Sequence, residues 1–450
     1  MKFHRVYEVL LIVWLGASFV SCQKESLLPA MNKRALLTRD DWIHDIPANQ
    51  GVVNALEKAS LIAGLEWVPI NPVPSVYNNP YPVDVVRHGL PYSLAQKVNG
   101  YVGLDVSFYT FLTALANPRS VIYTENLKLP PYNGFDAAPY YGTVCSTSVW
   151  YALGIKAPYY TYSINSITAL NKRQDLPPDS IQLCDVLWQS GHVAMVYDIA
   201  RDLFDSIKSV VVFETTRTSQ SDSRLIEYDY QGFVDRWNAG NYTIYRPIDL
   251  TNNPALNEPD FRWIAGKWRY ISPYYKDICT SRGDKVAYPV GDTVVINVLA
   301  NSYNHLELYK DGSLYEEVDL LTYEEQSLGE KTNYPYYNKD VVFADLPYGS
   351  YKACLRDSFD HVSDYTFFEV IDINVSFVLG NNFTVFFSSA NAIPEYMSLG
   401  DIRECPYNIT IFSDSQIAEG SATAPLTGCY LKVHFRGEYG SVSNKLIQVQ

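Results

Sequence analysis

The second half of the sequence repeats one local pattern, in which short runs of alternating apolar and polar residues are separated by turn residues. Alternation with a period of two predicts strands that have one buried face. The Asp311-Gly312 dipeptide between two such runs is the signal of a tight hairpin turn. Many short strands at regular spacing are typical of all-β sandwiches. The Pro- and Asn-rich stretch Pro247–Asp260 that precedes them is predicted to be a linker.

The strand patterns fall into two groups, which predict two all-β immunoglobulin-like sandwich domains, at 265–372 and at 373–450. The segment 49–250 is organised differently, because helical patterns come first and strand patterns follow them. Val52–Trp67 and Ser107–Pro118 carry apolar residues at helical spacing. Helices followed by antiparallel strands are typical of an α+β domain.

The beginning of the sequence has the features of an export signal: basic residues, then the apolar run Val9–Val20, then a small residue before Cys22. The stretch that ends at Cys22 resembles a bacterial lipobox, in which the cysteine is lipidated, and the Gln-Lys-Glu after it resembles the tether of surface lipoproteins in Bacteroides-like bacteria. The resemblance implies a signal peptide at 1–22, a lipid on Cys22 and a tether at 23–48. The alternative is an ordinary cleaved signal peptide with an incidental Cys22.

A lipid on Cys22 would make the protein an outer-membrane lipoprotein of the cell envelope, exposed on the surface or facing the periplasm. We expect it to contact the membrane through the lipid anchor only. An exported chain can keep disulfides. Cys405 and Cys429 lie in one small region and are a candidate pair, although the spacing does not fix the connectivity.

Charge and motif content argue against several classes of function. The net charge of −14 and the lack of a basic stripe argue against a nucleic-acid partner. The sequence has no phosphate-binding loop and no dinucleotide fingerprint, and the paired carboxylates of a glycosidase cannot be picked out. It has no Cys-x-x-Cys and no paired Cys/His spacing, so neither a metal nor a cofactor is expected.

Cys145 follows a glycine turn and opens the predicted helix Cys145–Leu153. Three roles are open for it: a buried small hydrophobe, half of a disulfide, or a nucleophile. The partial positive charge of a helix N-terminus lowers a thiol pKa and favours the thiolate, which is the form that attacks a carbonyl. Backbone N–H groups at the same helix start can stabilise the oxyanion that forms.

A nucleophilic cysteine needs a base, and His192 has the most suitable context among the seven histidines. It follows a predicted strand and a tight glycine turn, and it opens the next strand pattern, His192–Ile199. Alternation places His192, Ala194 and Val196 on one face. A lone histidine in such a place is more often structural, so the assignment depends on its combination with Cys145.

Two stretches together resemble a known family: GTVCSTSVWYALGI at 142–155 and CDVLWQSGHVAMVYD at 184–198. They are similar to the NlpC-like and CHAP-like cysteine peptidases and amidases that cut bacterial cell-wall peptides. The resemblance implies an α+β papain-like (NlpC-like) domain at 49–250, with Cys145 as nucleophile and His192 as base. The family places a third, orienting group on the next strand.

Glu214 is the carboxylate of that next strand pattern, VVVFETT, and it is predicted to orient His192. An exposed strand residue is the alternative reading of Glu214, and Asp185 and Asp198 are the alternative orienting groups.

The resemblance extends to a stretch upstream of the cysteine, and the sequence departs from the family pattern at three positions. RHGLPYS, at 87–93, resembles the family segment whose aromatic hydroxyl lines the substrate groove, which implies a substrate contact for Tyr92. Tyr141 is a second candidate for substrate binding, with packing as the alternative. The residues that flank the Cys-Ser pair are not the Asp and Gly of the family, and Cys184 replaces a family glycine.

Together these features predict a lipid-anchored cysteine hydrolase that cleaves amide bonds in peptidoglycan stem peptides through a Cys-His-Glu triad and an acyl-enzyme. The alternative is a catalytically inactive surface lipoprotein that acts in binding or adhesion, which the departures from the family pattern favour. A third reading is that the Cys/His pattern is accidental and the chain is a structural or nutrient-uptake lipoprotein. The partner expected for the enzyme is peptidoglycan peptide or another cell-wall polymer.

Overall fold

The structure of the protein is a computed structural model. It describes residues 42–73, 81–92, 107–124, 141–155, 164–165, 167–173, 176–216, 223–258, 260–271, 274–299, 303–322, 339–357, 359, 361–378, 382–400, 407–411, 417–422 and 430–448. Cys22, Cys405 and Cys429 lie outside these residues, as does most of the predicted tether.

The helices of the described residues all precede the sandwiches, apart from one short 3-10 turn. The α-helices are α1 Gln50–Gly64, α2 Phe108–Ala116, α3 Val121–Thr124, α4 Cys145–Leu153 and α5 Tyr230–Gly240, and the 3-10 turns are Pro178–Ser180 and Leu320–Thr322. No helix in this part of the chain is both long enough and apolar enough to cross a membrane.

The strands belong to a first sheet region, a linking hairpin and two sandwiches. In the first region they are β1 Ile43–His44, β2 Glu66–Trp67, β3 Arg87–His88, β4 Leu170–Arg173, β5 Val186–Gln189, β6 His192–Arg201, β7 Ile207–Thr215, β8 Ser223–Asp229 and β9 Thr243–Pro247. The hairpin is β10 Phe261–Ile264 and β11 Lys267–Tyr270.

The strands of the first sandwich are β12 Ile278–Thr280, β13 Val286–Pro289, β14 Val294–Val298, β15 Tyr303–Lys310, β16 Ser313–Asp319, β17 Lys339–Phe343, β18 Gly349–Asp357 and β19 Val362–Ile371. Those of the second are β20 Asn374–Val378, β21 Asn382–Ser388, β22 Ile393–Gly400, β23 Tyr407–Ile411, β24 Ile417–Ala422, β25 Tyr430–Arg436 and β26 Ser441–Gln448.

The first region is an antiparallel sheet with helices packed against it. The strand order is β4-β9-β5-β6-β7-β8, and β1 pairs with the far end of β6. Helix α4 contacts α1 and strands β6 and β7. On one face, alternate residues of β6 and β7 such as Ala194, Val196 and Val212 form a buried cluster with Phe233 of α5. The sheet therefore holds the start of α4 and the start of β6 in one compact unit.

Local signals explain the helices that the sequence predicted. Helix α2 begins after Ser107, whose side chain accepts the N–H of Thr110, so the predicted cap is confirmed. Helix α4 runs from Cys145 to Leu153 and ends at Gly154, where φ is +68°, as the glycine stop predicted.

The structure corrects the prediction that Pro247–Asp260 is only a linker. Asn253 is 7% exposed and its side chain contacts two helices. Its side-chain amide donates to the carbonyls of Gly51 and Ala152, at the start of α1 and near the end of α4, and its Oδ1 accepts from the buried Lys58 at 2.7 Å. Burial lowers the pKa of Lys58 to about 8. This stretch therefore fastens α4 to α1.

The prediction of a tether that reaches residue 48 is also corrected. Ile43 and His44 pair with Arg201 and Ala200 at the end of β6. The side chain of Asp45 accepts from Arg201 at 2.8 Å. The chain is therefore part of the sheet before residue 49.

Both sandwiches have the strand order of immunoglobulin-like domains. If the strands are lettered along the chain, β20-β21-β24-β23 is the sheet A-B-E-D and β22-β25-β26 is the sheet C-F-G. In the first sandwich, β12-β14-β17 faces a sheet in which β19, β18 and β15 are neighbours, with β13 and β16 at its edges. The predicted β-sandwich architecture of this half of the chain is confirmed.

Helix α2 attaches the helical region to the first sandwich through buried polar contacts. Tyr109 donates to the carboxylate of Asp284 at 2.5 Å, and Thr110 donates to the carbonyl of Lys285 at 2.9 Å. Gly283, which precedes Asp284, has φ +110°, and a Cβ there would lie 2.6 Å from the Thr110 carbonyl oxygen. Only glycine fits this turn. The turn therefore allows the backbone of the first sandwich to approach helix α2 closely.

Candidate active site

Cys145 is the first residue of α4 and is nearly buried, with 8% of its surface exposed. The residue before it, Val144, has an extended backbone and an apolar side chain that cannot cap the helix. The N–H groups of the first helical turn therefore depend on other partners. Two backbone N–H groups, those of Ser146 and Val193, hydrogen-bond the Cys145 sulfur and favour its thiolate form.

His192 is the first residue of β6, directly after the Ser190-Gly191 turn. Gly191 has φ +81°, which is the left-handed conformation that a glycine adopts without strain. The tight turn brings the His192 ring to the N-terminus of α4, where its side chain hydrogen-bonds Cys145. The ring is 16% exposed.

Glu214 lies on β7, beside β6, and its side chain is 2% exposed. Its Oε2 is 3.3 Å from Nε2 of His192, which leaves the other ring nitrogen, Nδ1, for the Cys145 sulfur. The structure thus brings Cys145, His192 and Glu214 into one line of contacts. Glu214 is buried, so the alternative of an exposed strand residue is wrong.

The three groups shift one another's proton affinity. Burial alone would raise the pKa of the Cys145 thiol, but the hydrogen bond and charge of His192 outweigh burial and lower it. Burial opposes the charged form of His192 too, yet its contacts with Cys145 and Glu214 raise its pKa to about 9. At neutral pH the geometry therefore favours a thiolate beside an imidazolium.

Glu214 keeps its charge although it is buried. Burial by itself would raise its pKa, but His192 and Arg236 hydrogen-bond the carboxylate and lower its pKa to about 2. Arg236 donates to Oε2 and Arg224 donates to Oε1 at 3.2 Å. An ionised carboxylate next to His192 fixes the ring orientation and supports its positive charge.

The two alternative orienting groups are engaged elsewhere. Asp185 is fully buried and forms a bidentate pair with Arg246, at 2.8 and 2.7 Å. Asp198 accepts from His44 at 2.7 Å, six residues along β6 from His192. Among the three carboxylates considered, only Glu214 contacts His192.

Tyr92 lies beside the segment that leads to Cys145. It forms an isolated parallel bridge with Thr143, and the N–H of Thr143 donates to the carbonyl of Pro91 at 3.0 Å. The backbone of Tyr92 therefore pairs with a residue two positions before Cys145, and the Tyr92 side chain is half-buried. Its role as a substrate contact stays a prediction.

The structure corrects the assignment of Tyr141 as a substrate contact. Tyr141 is 2% exposed, and its hydroxyl donates to the carbonyl of Arg282 in the first sandwich at 2.7 Å. Its ring lies against Phe111 of α2, with 6.3 Å between ring centroids. Burial raises the pKa of Tyr141 well above its ordinary value. The residue packs the segment that leads to Cys145 against the sandwich.

We expect Tyr141→Phe to lower the free energy of unfolding by about 1 kcal/mol, because it removes one hydrogen bond from a buried interface. Urea denaturation measures this. The matched control is Tyr274→Phe, since Tyr274 is 38% exposed and its substitution should change stability by less than about 0.5 kcal/mol. Equal stability of the Tyr141→Phe and wild-type proteins would contradict a structural role for this hydroxyl.

One departure from the family pattern has a backbone explanation. Cys184, which replaces the family glycine, has φ +68° and is fully buried. Its N–H donates to the carbonyl of Val196 at 2.8 Å, so it fixes the approach of the chain to β5 and β6. A non-glycine residue in this conformation costs about 1–2 kcal/mol. Glycine adopts this conformation without strain, so a glycine would also fit the backbone here.

Sequence reasoning missed Arg224 and Arg236, and it missed helix α5, which carries Arg236. The helix has readable signals: Asp229 caps it by accepting the N–H of Gly232, and Phe233 and Trp237 are one turn apart. The pairing of the two arginines with Glu214 has no sequence signal, because it joins three separate elements.

Comparisons with known proteins do not assign the site. No family model matches the chain, and no curated protein matches it. Among solved structures, extracellular domains 3–5 of Drosophila OTK are 14% identical, over 38% of this chain and 64% of that one, with a TM-score of 0.15. Fibronectin(III)-like modules of Clostridium thermocellum CbhA are 13% identical, over 38% and 91%, with a TM-score of 0.17. The chain spans less than two thirds of the OTK structure.

Proposed function

We propose that the protein is a lipid-anchored cysteine hydrolase that cleaves amide bonds in peptidoglycan stem peptides. The observation that carries the proposal is the line of contacts from the Cys145 sulfur at the start of α4, through the His192 ring, to the buried Glu214 carboxylate. A nucleophile, a base and an orienting group in hydrogen-bond reach are the requirements of covalent acyl transfer.

The fold of this region supports the proposal. A helix that opens on the nucleophile and packs against an antiparallel sheet that carries the base is the arrangement implied by the resemblance to NlpC-like, papain-like enzymes. Cys145 opens α4, and His192 opens the strand that α4 contacts. The lipid on Cys22 and an outer-membrane location belong to the same proposal and derive from the lipobox resemblance.

The first half of the reaction forms an acyl-enzyme. The Cys145 thiolate attacks the amide carbon, a C–S bond forms, and the carbonyl electrons move to oxygen. Backbone N–H groups at the start of α4 stabilise that oxyanion, because the apolar side chain of Val144 accepts no hydrogen bond from them. The imidazolium of His192 then gives its proton to the amide nitrogen, the C–N bond breaks, and an amine leaves.

The second half releases the acid. Neutral His192 takes a proton from water, and the resulting hydroxide attacks the thioester carbon. The C–S bond breaks, the carboxylic acid product leaves, and the thiolate and imidazolium are restored. Glu214 keeps the ring in place through both halves and supports its charge whenever it is protonated.

Hydrolysis of purified peptidoglycan fragments by the full chain tests the proposal, with new amine and carboxyl ends detected by mass spectrometry. We expect Cys145→Ala to reduce cleavage to the uncatalysed background, because the variant has no nucleophile. Cys354→Ala is the matched control, since Cys354 is a buried cysteine in β18 of the first sandwich, and it should retain cleavage.

Full cleavage by Cys145→Ala would refute the role of Cys145. Cleavage by neither the wild type nor any variant, on peptides from several wall types, would instead favour the alternative function, a surface lipoprotein that binds or adheres without catalysis.

A further inference from the structure

The buried carboxylate of Glu214 has more partners than an orienting group needs. Besides Nε2 of His192, it accepts from Nη2 of Arg236 on the same oxygen, Oε2, and from Nη2 of Arg224 on the other oxygen. The side chain of Arg236 is 22% exposed and that of Arg224 is 34% exposed. Arg236 is thus the more buried cation and shares the oxygen that faces the histidine.

Arg236 is itself held in a fixed place. Its guanidinium donates to the hydroxyl of Tyr228 on β8 and, at 3.3 Å, to the hydroxyl of Tyr242. It also lies over both rings, at 5.1 and 5.8 Å from their centroids. Cation–π contacts of this kind add to the hydrogen bonds. The side chain therefore cannot swing out to solvent without losing several contacts.

Glu214 lies on the face of the sheet that α5 covers, because it alternates with Val212, which packs against Phe233 of α5. Arg236 is one turn along α5 from that phenylalanine. Helix α5 therefore places the guanidinium of Arg236 next to the Glu214 carboxylate, which also contacts His192.

We infer that Arg236 is a positioning residue of the active site, which holds Glu214 as an ionised acceptor so that Glu214 can orient His192 and support its charge. The inference rests on the proposed function. Without Arg236 the buried carboxylate would keep only the more exposed Arg224 as an arginine partner, so its pKa would rise and it would take up a proton at a higher pH. Protonated Glu214 would no longer stabilise the imidazolium, and the Cys145–His192 pair would revert towards a neutral thiol and a neutral imidazole.

A merely structural role for Arg236 predicts something different. If the arginine only fastened α5 to the sheet, its loss would lower stability, but the folded molecules would keep the pH profile of Cys145. The rate of Cys145 alkylation as a function of pH therefore separates the two roles, because it reports the thiolate fraction of the folded protein.

The test measures iodoacetamide alkylation of Cys145 between pH 5 and pH 9 by peptide mapping of the full chain. We expect Arg236→Gln to move the acid limb of the profile to higher pH and to slow alkylation severalfold at pH 5, where Glu214 begins to take up a proton, since loss of an opposite charge raises its pKa of about 2 by about one to three units. Arg236→Lys, which keeps a charge, should retain part of the wild-type profile. Arg224→Gln should have a smaller effect, because Arg224 is more exposed.

Arg201→Gln is the matched control. Arg201 pairs with Asp45 at the opposite end of β6 and does not touch the site, so its profile should equal that of the wild type. An unshifted acid limb in Arg236→Gln, with a fast wild type, would overturn the inference alone. A slow wild type that titrates like an ordinary thiol would overturn the proposed function instead.

A double variant makes the test independent of lost stability. Glu214→Gln leaves the Arg236 cation beside His192 without its carboxylate, which disfavours the imidazolium and should slow alkylation at pH 7. If Arg236 acts through Glu214, adding Arg236→Gln to Glu214→Gln should slow alkylation no further. A further loss in a folded double variant would contradict the inference.

Discussion

At pH 6, Cys145 is expected to react with iodoacetamide on the order of tenfold or more faster than a free thiol, and His192→Ala is expected to abolish this difference. A free thiol has a pKa of about 8.5 and is almost entirely protonated at pH 6. His192 lowers the pKa of Cys145 by hydrogen bond and charge, against the opposing effect of burial. A lower thiol pKa also makes the thiolate a weaker nucleophile, so the gain is smaller than the gain in thiolate.

The sign of the His192→Ala effect follows from what remains at the site. Without the imidazole, burial becomes the main influence on the thiol and raises its pKa above the ordinary value. Alkylation of the variant should then rise only at alkaline pH. A variant that is still fast at pH 6 would show that the helix N-terminus alone ionises Cys145 and that His192 is dispensable for this step.

The two pKa shifts also define a pH window for hydrolysis. Cleavage should rise as pH passes through the lowered pKa of Cys145, because the thiolate forms there. It should fall again as pH passes through about 9, where His192 loses the proton that the leaving amine needs. Alkylation, which needs no acid, should keep its rate above that limit, so the two profiles separate on the alkaline side.

The other cysteines that the structure describes provide internal controls in the same digest. Cys184, Cys279 and Cys354 are at most 2% exposed, and burial raises the pKa of each. They should stay unlabelled under the conditions that label Cys145. Equal labelling of all four cysteines would indicate unfolding rather than a reactive site.

The parts of the site that the sequence predicted are those with local signals. The helix that opens at Cys145 and ends at Gly154 follows from residues next to each other in the chain, and so does the glycine turn before His192. Glu214 could be named because the family resemblance pointed to the next strand. Each of these predictions needs at most one assumption about tertiary structure, namely that neighbouring strand patterns pair in the sheet.

The parts that the sequence did not predict depend on contacts between distant elements. Arg236 lies 22 residues further along the chain than Glu214 and reaches it from helix α5, for which no element was predicted from the sequence. The sequence predicts a substrate contact for Tyr141, because nothing in it indicates that the first sandwich covers this residue through Arg282. The burial of Asn253 has no sequence signal either, because its hydrogen-bond partners lie on α1 and α4, far away in the chain.

Asp185→Ala is expected to lower the free energy of unfolding by about 3–5 kcal/mol, the range for breaking a buried ion pair by removing one partner. Asp185 is fully buried, and Arg246 donates to both of its oxygens. These distances are those of a charge-assisted bidentate pair, so the carboxyl is ionised at neutral pH although burial raises its pKa. The variant would leave the guanidinium without a counter-ion and the N–H of Gln182 without its acceptor.

The double variant Asp185→Leu/Arg246→Met separates the ion pair from its surroundings. Replacing both charges by apolar side chains of similar size removes the unpaired cation, so we expect it to be clearly more stable than Asp185→Ala in urea denaturation. Because Asp185 does not touch Cys145, His192 or Glu214, the folded double variant should keep the wild-type pH profile of Cys145 alkylation. A shifted profile would make Asp185, rather than Glu214, the carboxylate that controls the histidine, so this variant and Glu214→Gln together decide which acidic residue belongs to the chemistry.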